Sequence, residues 1–488
     1  MTLFSEVNKI RFEGSETANE FAYRVYDKDR MVLGKRMEDW LRLTVCYWHS
    51  FNSGGADMFG SGTFVRPWLG EPVTQAMADG KLEAAFDFFT RIDAPYFAFH
   101  DVDAMASAGT LAEHAKNLRT IEERMAEKME ATGVKLLWGT ANLFSHPRYA
   151  AGAATNPDPE VFAWAAAQVR NCLETTHRLK GENYVLWGGR EGYDTLLNTD
   201  LPREIDHLGR FLSLVVEHKH RIGFKGTILI EPKPFEPTKH QYDRDTAAVF
   251  AFLQRFGLAK EVKVNIEVNH ATLAGLDFEH EIAAARAYGI FGSVDINRGD
   301  PRNGWDTDQF PNNSQELVPA MLQIIENGGL GTGGFNFDAK LRRQSVDPAD
   351  LYLAHISGID TLARALLASA GVIEEGKLAS LRENRYKGWS GELGRRIEGG
   401  EFNLASLADH ATANGLNPSP QSGRQELAES FIARHQKPQF KRAVDAKVTQ
   451  IHLRGIAGHW QYLPGLRHLR RSVFAGTRDS YYTIHTVQ

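Results

Sequence analysis

Carboxylates end several apolar, β-branched runs in the second half of this 488-residue chain. The four residues are Glu231 in TILIEPKP, Glu267 in VKVNIEVNH, Asp295 in GSVDINRGD and Asp338 in FNFDAKL. Gathered in one pocket without neutralisation, these anions would repel one another and lose hydration, at a cost of many kcal/mol. A bound cation is the simplest solution, so the pattern predicts a metal site.

Further potential ligands lie close to these carboxylates. His270 follows Glu267 by three residues, and Asp306 and Asp308 alternate in WDTDQF. In an extended segment, alternate side chains point the same way, so both aspartates could bind one ion. Singly, each carboxylate would be interpreted as a helix N-cap or an ion-pair partner. Together, the potential ligands predict two ions, and oxygen ligands with one imidazole favour Mg²⁺, Mn²⁺ or Co²⁺ over a thiolate-bound or His-rich zinc site.

A lysine and a histidine–aspartate pair also follow apolar runs. Lys233 stands between Pro232 and Pro234, which restrict where it points, and could stabilise an oxyanion or polarise a carbonyl. His100 and Asp103 in FAFHDVD are typical of a general acid/base pair, because a carboxylate orients an imidazole and raises its basicity. The alternatives are a plain surface lysine and a structural hydrogen bond.

Tryptophans close three other apolar runs, at Trp48, Trp138 and Trp187. An aromatic wall suits the apolar face of a sugar, although core packing explains these residues almost as well. A literal GxGxxG pattern at 329–334 precedes its strand instead of following one. It therefore does not indicate a dinucleotide site.

Strand-like and helix-like segments alternate along the chain and must position these residues. The eight β-rich runs end near Trp48, His100, Trp138, Trp187, Glu231, Glu267, Asp295 and Asp338. Between them, helical apolar spacing recurs, for example over 81–92, 160–179 and 246–256. Such alternation predicts an α/β fold with a parallel sheet, and eight repeats predict closure into a (β/α)8 TIM barrel, whose C-terminal strand ends form the active-site rim.

The pattern predicts three parts: the barrel over 1–345, a C-terminal helical extension over 346–436, and an atypical tail over 437–488 rich in arginine. We interpret the tail as disordered or appended, since basic residues alone are weak evidence for a binding role.

Composition limits the function classes. The chain is 42% hydrophobic and 24% charged, with a formal net charge of −5, so no strong basic field indicates nucleic acid or an anionic membrane surface. Only Cys46 and Cys172 occur, which argues against a disulfide framework or a cysteine zinc site. The N-terminus lacks a signal-peptide pattern, and no uninterrupted apolar run is long enough for a membrane span. We expect a cytoplasmic protein that acts on small molecules.

Read in order, the motifs resemble the longer-chain class of xylose isomerases over about residues 10–435. The matching segments are RFEGS, YWHSF, GADMFG, FHDVD, WGTAN, WGGREGY, EPKP, NHATLAG, WDTDQFPN and FDAKLRRQS. The resemblance implies reversible conversion of D-xylose to D-xylulose, with D-glucose to D-fructose as a side activity, through a metal-assisted hydride shift. It also implies that His100 and Asp103 open the sugar ring and that Lys233 supports the developing charge.

By the same resemblance, two divalent cations are bound in each subunit, with Mg²⁺ expected first. The ligands matched to a structural metal are Glu231, Glu267, Asp295 and Asp338, and those matched to a catalytic metal are Glu267, His270, Asp306 and Asp308. Trp48 and Trp187 match the wall of the sugar site. Phe59 in GADMFG matches a residue inserted into a neighbouring subunit, which implies a homotetramer embraced by the helical extension.

Two alternatives stay open on the residues alone. Another divalent-metal enzyme, a different aldose isomerase or a sugar epimerase, would use a similar set of ligands. A catalytically silent metal-binding barrel would keep them too, although the presence of every matched residue argues against it.

Overall fold

The structure is a computed structural model that describes Phe4 and residues 7–436. Eight parallel strands form a closed barrel in chain order, each paired with its sequence neighbours. We number them β1 to β8: Leu43–Cys46, Tyr96–His100, Lys135–Thr140, Asn183–Trp187, Thr227–Glu231, Val262–Glu267, Phe291–Asp295 and Phe335–Phe337. The predicted TIM barrel is confirmed. Two short antiparallel ribbons lie outside it, Met31–Val32 with Lys35–Arg36 and Gly192–Tyr193 with His240–Gln241.

A long helix follows each strand. They are α1 to α8: Gln75–Arg91, Leu111–Thr132, Pro159–Arg178, Leu201–Ile222, Thr246–Arg255, Phe278–Ala287, Ser314–Glu326 and Ala349–Glu375. Each of α1 to α7 begins at a Thr, Asp or Asn whose side chain accepts a hydrogen bond from a backbone N–H of the first turn. Such caps satisfy donors that have no partner inside the helix.

Short helices complete the loops and the C-terminal extension. Near the N-terminus and at the strand ends they are Met37–Leu41, a π-helical turn at Trp48–Asn52, Asp101–Ala104, Pro147–Tyr149 and Val268–Leu273. The extension contains Lys377–Tyr386, Lys387–Ser390, Glu392–Glu398, Leu404–Ala413 and Gln425–His435. Its helical character agrees with the sequence, while the proposed boundary at residue 345 stays a prediction. The tail predicted over 437–488 lies outside the described residues.

Helix α8 contacts both the preceding helix and the N-terminal segment of the chain. It packs against α7, and its Asp360 carboxylate accepts backbone N–H groups of Arg24, Val25 and Tyr26 at 2.8–2.9 Å. By length and composition α8 could cross a membrane, and 67% of its most apolar window is buried. Burial of this kind is what a core helix of a globular barrel shows.

An imidazole is buried where α8 meets the barrel. The His355 ring packs against Phe88, Phe310 and Phe337, with centroid distances of 4.8–5.5 Å, and its Nδ1 is 2.8 Å from the carbonyl oxygen of Leu351. Burial disfavours the charged ring and lowers the pKa of His355 from 6.5 to about 4. The folded protein therefore keeps this side chain neutral in mildly acid solution.

We expect His355 to destabilise the fold as the pH falls from about 6.5 to 4. Over that range the unfolded chain binds a proton that the folded chain rejects, which removes up to about 3 kcal/mol of stability. Melting temperatures of the wild type and His355→Leu, measured with chelator between pH 7.5 and 4.5, test this. The variant should lose less on acidification, and parallel curves for the two proteins would show that the imidazole does not contribute.

Candidate metal centre and active site

The acidic residues converge because parallel strands end at one rim of the barrel. Glu231, Glu267 and Asp295 are the last residues of β5, β6 and β7, and Asp338 directly follows β8. Glu267 and Asp295 are register partners, so their side chains leave the sheet at the same height. The carboxyl ends of barrel strands are where active sites form in this fold.

Three overlapping groups of potential ligands lie at this rim. In each group, one ligand atom per residue lies within 4.8 Å of the others. The groups are Glu231 with Asp295 and Asp338, Glu267 with Asp306 and Asp308, and Glu231 with Glu267 and His270. All seven predicted ligands are therefore brought together, and sharing of Glu231 and Glu267 makes the groups continuous.

The cluster is suited to cations. Asp295 Oδ2 and His270 Nδ1 are buried without a hydrogen-bond partner, an arrangement that costs free energy unless another group pairs with them. Hard divalent ions prefer carboxylate oxygens, and one imidazole is compatible with Mg²⁺, Mn²⁺ or Co²⁺. The donor set fits a divalent metal centre.

Burial and mutual repulsion keep protons on part of this cluster. Burial first, and neighbouring carboxylates second, raise the pKa of Glu231 and Glu267 well above the ordinary value. The same two causes raise the pKa of Asp295 to about 7. A cation that binds here must therefore displace protons, so its affinity should rise with pH.

Three basic side chains offset the remaining negative charge. Lys233 Nζ lies 2.6 Å from Asp306 Oδ2, and Lys340 Nζ lies 2.9 Å from Asp308 Oδ2. His49 Nε2 lies 3.1 Å from carboxylate oxygens of both Asp308 and Asp338. Burial alone would lower the pKa of His49, but these two carboxylates raise it to about 9.

Local charges also shift the pKa values of the two aspartates of WDTDQF in opposite directions. Burial would raise the pKa of Asp306, but its hydrogen bond with His270 and the attraction of Lys233 lower it well below the ordinary value. Burial and the proximity of Asp306 raise the pKa of Asp308 despite Lys340. Two neighbouring carboxylates thus have unlike affinities for protons.

Asparagines in β6 and β8, and Asn297 two residues beyond β7, hold the carboxylates by hydrogen bonds. Asn297 Nδ2 donates to Glu267 Oε1 at 2.7 Å and to the backbone oxygen of Asp338 at 2.9 Å. Asn265 donates to Glu231 at 3.2 Å, and Asn336 donates to Asp295 at 2.9 Å. These amides orient the oxygens before any ion arrives, which is how outer groups set the affinity of a metal site.

The backbone of WDTDQF is not extended at Asp308. This residue has φ of +42°, in the left-handed region that non-glycine residues avoid. Its carbonyl oxygen accepts the Lys340 N–H at 2.7 Å, which holds the turn. Asp306 and Asp308 therefore reach the same ligand group because the backbone changes direction at Asp308, and not because their side chains alternate as in a strand.

Aromatic rings line the other side of the rim. Trp48 lies 4.4 Å from the His100 ring and 5.3 Å from Trp138, and its Nε1 donates to Asp338 Oδ1 at 2.7 Å. Trp187 stacks parallel to His270 at 6.2 Å. Trp138 is buried, so core packing accounts for it, whereas Trp48 and Trp187 are partly exposed at the pocket.

The first two glycines of WGGREGY make room for this arrangement. A Cβ at Gly189 would approach the Trp187 ring to 2.5 Å, and a Cβ at Gly188 would approach Asp243 Oδ2 to 2.6 Å. The segment therefore excludes larger residues because its backbone contacts the indole and a buried carboxyl group.

The two residues predicted to act as an acid/base pair meet at the end of β2. His100 Nδ1 lies 2.7 Å from Asp103 Oδ2, and both side chains are mostly buried. Burial would raise the pKa of Asp103, but hydrogen bonding and attraction by His100 lower it. An ionised Asp103 accepts from Nδ1–H, which leaves Nε2 free to exchange a proton with a bound molecule.

Comparison with known proteins identifies the family. Curated xylose isomerases are similar over nearly their whole length: that of Solibacter usitatus (strain Ellin6076) is 62% identical over 432 residues, which cover 88% of this chain and 99% of the relative. Those of Novosphingobium aromaticivorans and Paraburkholderia phytofirmans are 61% and 58% identical, each over 88% of this chain and 99% and 98% of the relative. This chain belongs to the xylose isomerase family.

Two family profiles agree with this assignment. One described as "Xylose isomerase-like TIM barrel" matches residues 88–315, and one described as "XylA2 C-terminal domain" matches 382–436. The first covers the strands β2 to β7 and the second covers most of the helical extension.

Among the predicted site residues, Phe59 differs in that its side chain is largely exposed. Its side chain is 78% exposed and its ring lies 6.0 Å from Trp305. The inserted role that the resemblance implies for Phe59 stays a prediction, as do the individual roles of the metal-cluster residues.

Sequence reasoning missed His49, Lys340 and the strand asparagines. A usable signal existed, because Asn265 and Asn336 lie two residues before Glu267 and Asp338, and side chains two apart in a strand share a face. Lys340 likewise lies two residues beyond Asp338. His49 follows the predicted Trp48 within a π-helical turn, which no simple periodicity indicates.

We expect Asn297→Ala to weaken metal binding about 10- to 100-fold, because Glu267 loses the donor that orients it. Isothermal titration with Mn²⁺ measures the effect, and Asn198→Ala, an exposed asparagine, is the control. Equal affinities in the two variants would show that the Asn297 amide does not organise the centre.

Proposed function

We propose that the protein interconverts D-xylose and D-xylulose as a metal-dependent aldose–ketose isomerase. The observation that carries the proposal is the oxygen-rich ligand cluster at the barrel mouth, faced by a His–Asp pair and two indoles. The naming of its relatives as xylose isomerases supports the substrate. Conversion of D-glucose to D-fructose is proposed as a side activity.

Ring opening falls to His100 in this proposal. Asp103 holds the imidazole through Nδ1, so Nε2 is available to move a proton between the ring oxygen and the anomeric hydroxyl of a cyclic sugar. Trp48 packs against the same imidazole and limits the access of water. The pair thus acts on the closed sugar before isomerisation begins.

The isomerisation step is assigned to the acidic side of the pocket. The residues that would hold two divalent cations are Glu231, Glu267, His270, Asp295, Asp306, Asp308 and Asp338, with Mg²⁺ proposed before Mn²⁺ or Co²⁺. When bound, such ions supply Lewis acidity at the sugar oxygens. Lys233, held 2.6 Å from Asp306, adds positive charge beside the developing oxyanion.

A 1,2-hydride shift suits this pocket better than exchange of a proton with solvent. Trp48 and Trp187 form its apolar side, and exclusion of water favours transfer within the substrate. Beside the acidic ligands, Lys233, Lys340 and His49 are engaged by carboxylates, so none of these three is poised to remove a proton from carbon.

We propose a cytoplasmic homotetramer as the working form. Exposed apolar side chains support an association surface, both on the helical extension and on the loop that carries Phe59. Examples are Leu404 at 87%, Phe59 at 78% and Met58 at 70%. Side chains of this kind, grouped along an otherwise polar arm, are typical of subunit contacts.

We expect metal-stripped protein to form D-xylulose from D-xylose only after Mg²⁺, Mn²⁺ or Co²⁺ is added, because the clustered carboxylates need a cation to organise substrate oxygens. Ketose formation is measured for each ion, with D-glucose in parallel. A different product from other sugars would favour another isomerase or an epimerase. Absence of any product in folded, metal-bound protein would favour a silent barrel.

We expect His100→Ala to keep metal affinity while slowing turnover of cyclic D-xylose by a factor of about 10² or more, as loss of a general acid/base does. Turnover and Mn²⁺ titration are compared with His280→Ala, which alters an exposed histidine. Unchanged turnover on the cyclic sugar would remove His100 from ring opening.

A further inference from the structure

A lysine is buried behind the His100–Asp103 pair. Lys81 on helix α1 is only 2% exposed, and its ammonium group donates to Asn52 Oδ1 at 2.6 Å. Lysines rarely lie so deep, since their flexible stems usually carry the charge to water. Burying an ammonium group costs several kcal/mol, and a methionine would fill similar space without that cost. Packing alone therefore does not explain a lysine at this position.

Asn52 connects Lys81 to the acid/base pair. Its Nδ2 donates to the backbone oxygen of Asp103 at 3.1 Å, while its Oδ1 accepts from Lys81. Asn52 ends the π-helical turn after β1, and Asp103 lies in the short helix after β2. Three elements thus meet at Asn52, and a cation on α1 is placed behind the carboxylate that holds His100.

The charged groups that face Lys81 and Asp103 favour the ionised form of each. Lys81 is faced by Asp103 and by Glu71, while Asp103 is faced by His100, Lys81 and the amide of Asn52. Burial lowers the pKa of Lys81 to about 8 despite the attraction of the two carboxylates, so the ammonium form persists at neutral pH. Burial would raise the pKa of Asp103, but the three groups facing it lower it.

We propose that Lys81 is a positioning residue that keeps Asp103 ionised and thereby holds His100 with its proton on Nδ1 and a free Nε2. This inference rests on the proposed ring-opening role of His100. Lys81 acts through Asn52 and Asp103 and does not touch the sugar. Its positive charge extends the working range of the pair toward acid pH, because Asp103 resists protonation while the ammonium group lies behind it.

The test is the pH profile of kcat/KM for D-xylose at saturating Mg²⁺, with three substitutions of Lys81. Lys81→Gln keeps a hydrogen-bond donor without charge, Lys81→Met keeps only the alkyl stem, and Lys81→Arg keeps the charge. Lys128→Met is the control, since it removes a partly exposed lysine that pairs with Glu83 away from the site. Circular dichroism melts establish that each variant is folded.

We expect the acid limb of the profile to move up by about one pH unit in the Gln and Met variants, a tenfold loss at the acid end. Lys81→Arg and Lys128→Met should follow the wild type. A uniform fall in kcat/KM at every pH, with the acid limb at the same pH as in the wild type, would assign Lys81 to packing and overturn the inference. Failure of the wild type to form D-xylulose would instead overturn the proposed function.

Discussion

Repulsion among buried carboxylates is the constraint that organises this molecule. Closure of an eight-stranded parallel barrel puts Glu231, Glu267, Asp295 and Asp338 at one rim, away from most water. Like charges in such surroundings disfavour each other's ionisation, which is why the pKa of Asp295 rises to about 7. A fold that gathers these groups needs compensating hydrogen-bond donors and cations within a few ångströms.

The compensation is distributed over elements far apart in sequence. Asparagines in β6 and β8 supply neutral donors from the same faces as the acids, and Asn297 supplies another just beyond β7. His49 comes from the turn after β1 and Lys340 from the loop after β8. The left-handed backbone at Asp308 is part of this charge compensation, because it directs the Asp308 carboxylate toward His49 and Lys340. Strain of this sort is retained where surrounding contacts determine the conformation, as at functional sites.

The strand-end acids could be predicted from sequence because two simple rules overlap: buried strands are apolar, and a charge at their ends must face the rim. The parallel barrel and the helices between its strands followed from alternation, and they are confirmed. Lys81 and His49 could not be placed in the same way. Lys81 lies in a helix whose spacing marks that position as inward, but only the folded contacts show that Asn52 and Asp103 meet it. The turn at Asp308 was also hidden, since a positive φ leaves no mark when the residue is not glycine.

The acidic ligand cluster and the His100–Asp103 pair follow different strands of the barrel. Strands β5 to β8 end in carboxylates, whereas β2 ends in His100 and β4 in Trp187. Histidines near the acids become ion-pair partners, as His49 and His270 do, and would serve poorly as proton carriers. Trp48 lies between the regions, with its ring against His100 and its Nε1 bonded to Asp338. This indole lies between the imidazole of His100 and the acidic cluster, so the carboxylate that contacts His100 is that of Asp103.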